Sequence, residues 1–167
     1  MDLIKLLSDV AKRVNEKIPG INSGGCCVFA AEVYPYLKGL GLKPKIRVAD
    51  RFIVKECTIE KVRRKVNDRG NIDDWNDNGL WFGHVVCEFE YKGKSYFFDS
   101  KKVYVKKEEC EGVLKFNLYK GNLTYNEGVM LASSSRGWNR SFDRKQIQKM
   151  RDTLEKQFRK VYDLMNG

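Results

Sequence analysis

Leu3, Leu6, Leu7, Val10, Val14 and Ile18 recur at helical spacing along the start of the chain, and Pro19-Gly20 ends the run. This pattern predicts an amphipathic helix over residues 3 to 17. Ile21-Asn22-Ser23-Gly24-Gly25 then offers turn-forming and flexible residues after its isoleucine, a loop that feeds into Cys26. From Cys26 to Leu40, the residues Val28, Phe29, Val33, Tyr36, Leu37 and Leu40 form a second helical stripe that stops at Gly39 to Gly41. Two adjacent cysteines therefore open a helix. Pro35 inside it predicts a kink or an early end near Tyr34.

The periodicity then shortens. Ile46, Val48, Phe52 and Val54 alternate weakly among charged residues, as one half-exposed strand or two short ones do, and residues 58 to 66 read as a short helix. Asn67 to Gly79 is rich in Asn, Asp and Gly and predicts a long surface loop, with the length of a mobile flap over a cleft. Leu80 to Tyr91 predicts a strand, Lys92-Gly93 a turn, Ser95 to Asp99 a returning strand and Val103 to Val105 a further one. Residues 113 to 135 support two readings: Leu114, Phe116 and Leu118 alternate like a strand, while Thr124-x-x-Glu127 has the form of a capping box. Ser141 is placed to cap a final helix carrying Ile147, Met150, Leu154, Phe158, Val161 and Met165, with Gly167 beyond its end. The sum is an α+β chain read as one domain over residues 1–167. The helix opened by the cysteines packs on an antiparallel sheet, and a further helix closes each end.

Composition narrows the class. Of 167 residues, 42% are apolar and 32% charged, the balance of a globular chain and not of a disordered tail. Lys and Arg number 32 against 22 acidic residues, a formal charge of +10 that can attract an acidic partner or a polyanion. Two basic groups stand out: Arg63-Arg64-Lys65, and Arg140, Arg144, Lys145, Lys149, Arg151, Lys156, Arg159 and Lys160. Asp143, Asp152, Glu155 and Asp163 are interleaved with the second, as on a solvated helix face. The cysteines (Cys26, Cys27, Cys57, Cys87, Cys110) are odd in number with no secretory leader before them, which predicts free thiols and a cytoplasmic location. A single histidine and the lack of any Cys-x-x-Cys pair predict no metal site, and no apolar run reaches the roughly 18 residues of a membrane span.

Chemistry concentrates at two places. A thiol attacks a carbonyl as thiolate, and a helix start favours an anion through its unpaired N–H groups, so Gly24-Gly25-Cys26-Cys27 is placed for a nucleophile. The glycines let a substrate backbone approach, and the first helical N–H groups can face an oxyanion. A buried cysteine acting as a small hydrophobe is the competing reading. The hairpin supplies the partner. With Lys92-Gly93 as a two-residue turn, Tyr91 faces Lys94 and Val86 faces Asp99, with His84 one diagonal step away on the same face. Val85, Cys87, Phe89, Tyr96 and Phe98 occupy the other face, leaving His84 and Asp99 on the less apolar one. Asp99 can orient His84, and His84 can take the Cys26 proton.

Gly24-Gly25-Cys26-Cys27-Val28-Phe29-Ala30 resembles the transglutaminase-like superfamily pattern of glycine, any residue, cysteine, two residues and Phe-Ala. His84-Val85-Val86-Cys87-Glu88-Phe89 and Tyr96-Phe97-Phe98-Asp99-Ser100 are similar to its histidine and aspartate strands, in the same order. The resemblance covers residues 24 to 31 and 80 to 100. It implies a papain- or transglutaminase-like core with Cys26, His84 and Asp99 as catalytic triad, Phe29-Ala30 aligning only when Cys26 and not Cys27 is the nucleophile. Papain-type enzymes place a glutamine upstream of the cysteine as oxyanion donor; the nearest amide here is Asn22. Asn22, Gly25, Cys27 and Trp81 are thus candidates for oxyanion or substrate contacts, and Trp75, Trp81 and Trp138 for a substrate wall.

The expected activity is that of a cysteine-dependent hydrolase, a peptidase or amidase acting on a peptide, protein or amide through a thioester at Cys26. No acyl-carrier or cofactor motif appears, which favours hydrolysis. A transglutaminase-like acyltransferase is the first alternative. The second is a noncatalytic basic module that binds nucleic acid or an acidic protein.

Overall fold

Asp2 caps the first helix, α1 (Leu3–Lys17), by accepting from the N–H groups of Ile4 and Lys5 at 3.1 and 3.4 Å. The computed structural model describes residues 2–21, 25–50, 58–67, 83–138 and 143–167, with the backbone alone at 65 and 134–138. Asn22, Gly24, Phe52, Val54, the segment 68–82 with Trp75 and Trp81, Arg140, Ser141 and the side chain of Trp138 lie outside that description.

α2 (Cys26–Gly39) follows and is buried at Cys26 to Ala31, Val33 and Leu37, so it is the central helix of the structure. Pro35 does not end it. A proline in a helix interior removes one backbone bond, and here the burial of Val33 and Leu37 on either side holds the turn in place. β1 (Lys45–Asp50), α3 (Ile59–Asn67), β2 (His84–Tyr91), β3 (Lys94–Phe98) and β4 (Val103–Tyr104) come next. α4 (Lys107–Leu114), β5 (Asn117–Leu118), α5 (Tyr125–Trp138) and α6 (Arg144–Asn166) complete the described elements. Asn67 thus ends a helix instead of opening a loop, and donates to Glu127 at 3.2 Å.

The chain is α+β: among the described residues, six helices accompany a five-stranded antiparallel sheet in the order β4-β3-β2-β1-β5. The central hairpin has the register expected from its turn. Lys92 (φ 51°) and Gly93 (φ 75°) both take the left-handed conformation of a type I′ connection, and Tyr91 pairs with Lys94 and Cys87 with Phe98. One face of the sheet, with Val85, Cys87, Phe89, Tyr96 and Phe98, packs under α2 in the main apolar cluster. α1 and α6 extend that cluster through Leu3, Leu7, Val10 and Val14 against Met150, Leu154 and Phe158. Each such fully buried side chain stabilises the fold by roughly 1.5–3 kcal/mol.

The structure fills in one face of the sheet, resolves the stretch left with two readings, and corrects the last helix. The less apolar face, which holds His84 and Asp99, still carries the smaller of two apolar clusters: Ala49, Val86, Phe97, Tyr104, Cys110 and Leu118 pack there, and α4 covers them. The ambiguous stretch resolves mainly as helix. Leu114 closes α4, only Asn117–Leu118 is strand, and the capping box starts α5, with Thr124 N–H to Glu127 at 2.9 Å and Glu127 N–H to Thr124 Oγ1 at 3.2 Å. The last helix begins later than Ser141 implied: Asp143 is its N-cap and accepts from Gln146 N–H at 3.0 Å. Met165, placed on its apolar stripe, is exposed with Leu164, because the final turn runs past the core.

Candidate active site

Three elements meet at the site. Cys26 is the first residue of α2, His84 the first residue of β2, and Asp99 follows the last residue of β3. Gly25, the N-cap of α2, has no side chain with which to cap the N–H groups of the first turn. His84 is anchored from both directions along the chain. Ala49 is its cross-strand partner, and Gly83 just before it donates to the Ala49 carbonyl at 2.9 Å. A side chain at 83 would lie 2.7 Å from the Phe116 ring, so only glycine there lets Phe116 settle beside the imidazole, with ring centroids 6.4 Å apart.

All three candidate triad residues are buried, with Cys26 and His84 each 6% exposed and Asp99 1%. The structure brings them together. His84 Nε2 lies 2.8 Å from Asp99 Oδ2, which leaves Nδ1 as the ring nitrogen free for the thiol, and Cys26 lies near enough to the imidazole for each to favour the other's charged form. Asp99 is saturated with donors. Its Oδ1 accepts from the backbone N–H groups of Lys101 and Lys102 at 2.8 and 3.1 Å, and its Oδ2 from His84 and from the Tyr104 hydroxyl at 3.1 Å. The Asn15 side chain donates to the Ser100 carbonyl and so ties α1 to the same turn.

The electrostatics follow from these contacts. Cys26 is held well below the ordinary thiol range: the hydrogen bond from Cys27 is the largest cause, burial opposes it, and the bond and charge of His84 and the Val85 N–H lower it further. Burial alone would depress His84, but its bond to Asp99, then its bond and charge contact with Cys26, lift it to about 9. Burial likewise opposes ionisation of Asp99, and the His84 bond, with the two backbone N–H groups, outweighs it and keeps the carboxyl low. Each of the three groups thus has its charged form favoured by its neighbour: the thiolate by the imidazole, the imidazolium by the thiolate and the carboxylate, and the carboxylate by the imidazolium.

Of the other sequence candidates, Gly25 is the N-cap of α2, and Cys27 is buried next to Cys26 and is the largest influence lowering its thiol. A helix turns successive side chains by about 100°, so the two thiols leave the α2 backbone in different directions. Asn22 and Trp81 lie outside the described residues. Tyr104 and the Lys101 and Lys102 amides are site groups that sequence reasoning missed; the only signal was a short strand, Val103 to Val105, returning just after Asp99. Among the described residues no group of three His, Cys, Asp or Glu side chains is disposed to hold a metal ion. None of the described helices is long and apolar enough to cross a membrane.

The basic residues divide. Arg63 is engaged structurally, bonded to Glu60, to Glu127 at 3.1 Å and to the Asn122 carbonyl at 2.6 Å, and Arg151 and Arg159 pair with Glu32 and Glu155. Lys145, Lys149, Lys156 and Lys160 are exposed on α6, on the side away from Ile147, Met150, Leu154 and Phe158. Compared with protein-family models, curated proteins and solved structures, the chain matches none of them.

Proposed function

We propose that the chain is a cysteine-dependent hydrolase, a peptidase or amidase built on a papain- or transglutaminase-like core, with Cys26 as nucleophile, His84 as acid and base, and Asp99 as orienting carboxylate. The observation that carries this reading is a buried imidazole bonded to a carboxylate at 2.8 Å, next to a buried cysteine at the first residue of a helix whose ionisation that imidazole favours.

In this mechanism the Cys26 thiolate attacks the substrate carbonyl carbon, forming the C–S bond, and the carbonyl oxygen becomes an oxyanion facing the first turn of α2. Collapse breaks the C–N bond while the His84 imidazolium gives its proton to the leaving amine. The neutral imidazole then takes a proton from water as the water oxygen attacks the thioester. The C–S bond breaks, the acid product leaves and the thiolate–imidazolium pair returns. An amine in place of water would yield acyl transfer by the same steps.

The test uses an activated acyl ester and intact-mass measurement. A transient adduct equal to the acyl group, mapped to Cys26, discharged by water and absent in Cys26→Ser, is the expected result. An unmodified Cys26 under conditions where free cysteine reacts would overturn the reading, and discharge by added amines in preference to water would make the chain an acyltransferase. A second reading has one observation in its favour: the lysine stripe on α6 without ion pairs among the described residues suits a polyanion, whose binding would weaken steeply with salt.

A further inference from the structure

Tyr104 is completely buried in the second apolar cluster, yet its hydroxyl leaves that cluster's packing to reach Asp99 Oδ2 at 3.1 Å. That oxygen is the one that accepts from His84 Nε2. The other oxygen is already fixed by two backbone amides, and the Asp99 N–H bonds back to the Lys102 carbonyl at 3.2 Å, so the carboxylate's orientation does not depend on the tyrosine. We infer that Tyr104 is a positioning residue of the Cys26-His84-Asp99 site, which sets how strongly Asp99 holds the imidazole by sharing the oxygen that His84 uses.

A carboxylate oxygen accepting two donors divides its charge between them, and each bond is weaker than it would be alone. The phenol stays protonated, because burial and the neighbouring Asp99 charge both push its ionisation up. It therefore acts on Asp99 as a donor at any pH where the site works. The groups around the imidazole are few. Cys26 faces it from α2 with Cys27 behind, the Val85 N–H lies on β2, and Asp99 and Tyr104 close the β3-β4 side. Cys110 and Glu109 of α4 add to the push on the Tyr104 hydroxyl, the Lys102 ammonium lies 5.1 Å from its ring, and Asp50 follows Ala49, the β1 partner of His84.

The catalytic meaning of this contact rests on the proposed thiol chemistry; its effect on His84 does not. His84 is the only histidine in the chain, so its ring carbon resonance gives a single titration curve by NMR. Tyr104→Phe keeps the ring and removes the donor, and the His84 midpoint is expected to rise by about half to one pH unit as Asp99 turns its full charge to the imidazolium. Incorporation of 3-fluorotyrosine at 104 keeps the hydroxyl and makes it a stronger donor, and the midpoint is expected to fall. Opposite movements are not produced by a packing role alone. The same midpoint in all three proteins, or movement in one direction for both variants, overturns the inference, and the fluorinated protein decides it by itself should Tyr104→Phe not fold. Midpoints that move as stated, in a protein whose Cys26 forms no acyl adduct, would sink the thiol mechanism and leave Tyr104 its role. Adduct formation with unmoved midpoints gives the reverse.

Discussion

Cys26 and Cys87 are buried in the same apolar cluster, one at the start of α2 and the other within β2, and they ionise in opposite senses. The Cys87 thiol donates to the Ala30 carbonyl at 3.2 Å, and burial pushes it up. Cys110, on the other face of the sheet, is pushed up to about 12 by burial and by Asp99 and its carboxylate neighbours. Cys26 is also buried, but the Cys27 thiol, the His84 imidazole and the Val85 N–H all favour its ionised form. Burial alone makes a thiol inert; burial together with a cation and oriented donors makes it a nucleophile. Element ends create the difference. The helix start and the strand start leave N–H groups and side chains free to converge, whereas the strand interior spends its backbone groups on neighbouring strands.

The contrast is broken most easily with an alkylating agent. Near pH 7, iodoacetamide is expected to modify Cys26 at least about 100-fold faster than Cys87, since the ratio follows the thiolate fraction and the access of each sulfur. Cys26→Ser should remove the fast phase while Cys87→Ser leaves it in place. Peptide mapping checks both, and fast labelling at Cys27 or Cys87 would assign the nucleophile elsewhere.

A smaller effect lies in the pH dependence of stability, and its sign comes from the two partners separately. His84, raised to about 9, contributes stability that is complete below its ordinary value of about 6.5 and fades as pH rises toward 9. Cys26, lowered, contributes stability that is complete above the free-thiol value of about 8.5 and fades as pH falls toward its folded value. Between about 6.5 and 8.5 the two slopes oppose each other, because folding moves one proton from sulfur to nitrogen and releases none. The pair therefore predicts a plateau across that window and, below it, a loss of about 1.4 kcal/mol per pH unit until the thiolate is protonated. Urea unfolding of the parent and His84→Gln between pH 5 and 8.5 checks this. The variant should lack the corner near 6.5, and parallel curves would show that the two groups do not form a charged pair.

Much of the site was legible because its chemistry sits on strongly patterned elements. Leu3 to Val14 and Val28 to Leu37 mark two helices by periodicity alone, and Lys92-Gly93 fixes the hairpin register that puts His84 and Asp99 on one face. What the local pattern did not carry was the environment of that face. Val86, Phe97, Tyr104, Cys110 and Leu118 are spread over five elements, and only the closed sheet with α4 above it makes them a cluster. α4 itself was unreadable, since Cys110 is its one buried apolar residue and no stripe of period 3.6 forms among its glutamates. The Leu114, Phe116 and Leu118 alternation misled for a related reason: Leu114 is helical and Phe116 is drawn against His84, leaving two residues of strand. Tyr104 was hidden because a tyrosine in a short apolar strand looks like core, and its hydroxyl's partner is set by the turn after Asp99.

The central claim is that Cys26, His84 and Asp99 ionise as one unit, and the pH profile of iodoacetamide labelling at Cys26 measures it directly. In the parent, labelling should stay fast well below pH 8. In His84→Ala the apparent thiol pKa should climb toward about 8.5, so that under roughly 1% of Cys26 is thiolate at pH 6, apart from what Cys27 and the helix start still lower. Asp99→Ala should shift the profile in the same direction by less, because the carboxylate acts on the sulfur only through the ring. Three profiles that superimpose would contradict the account.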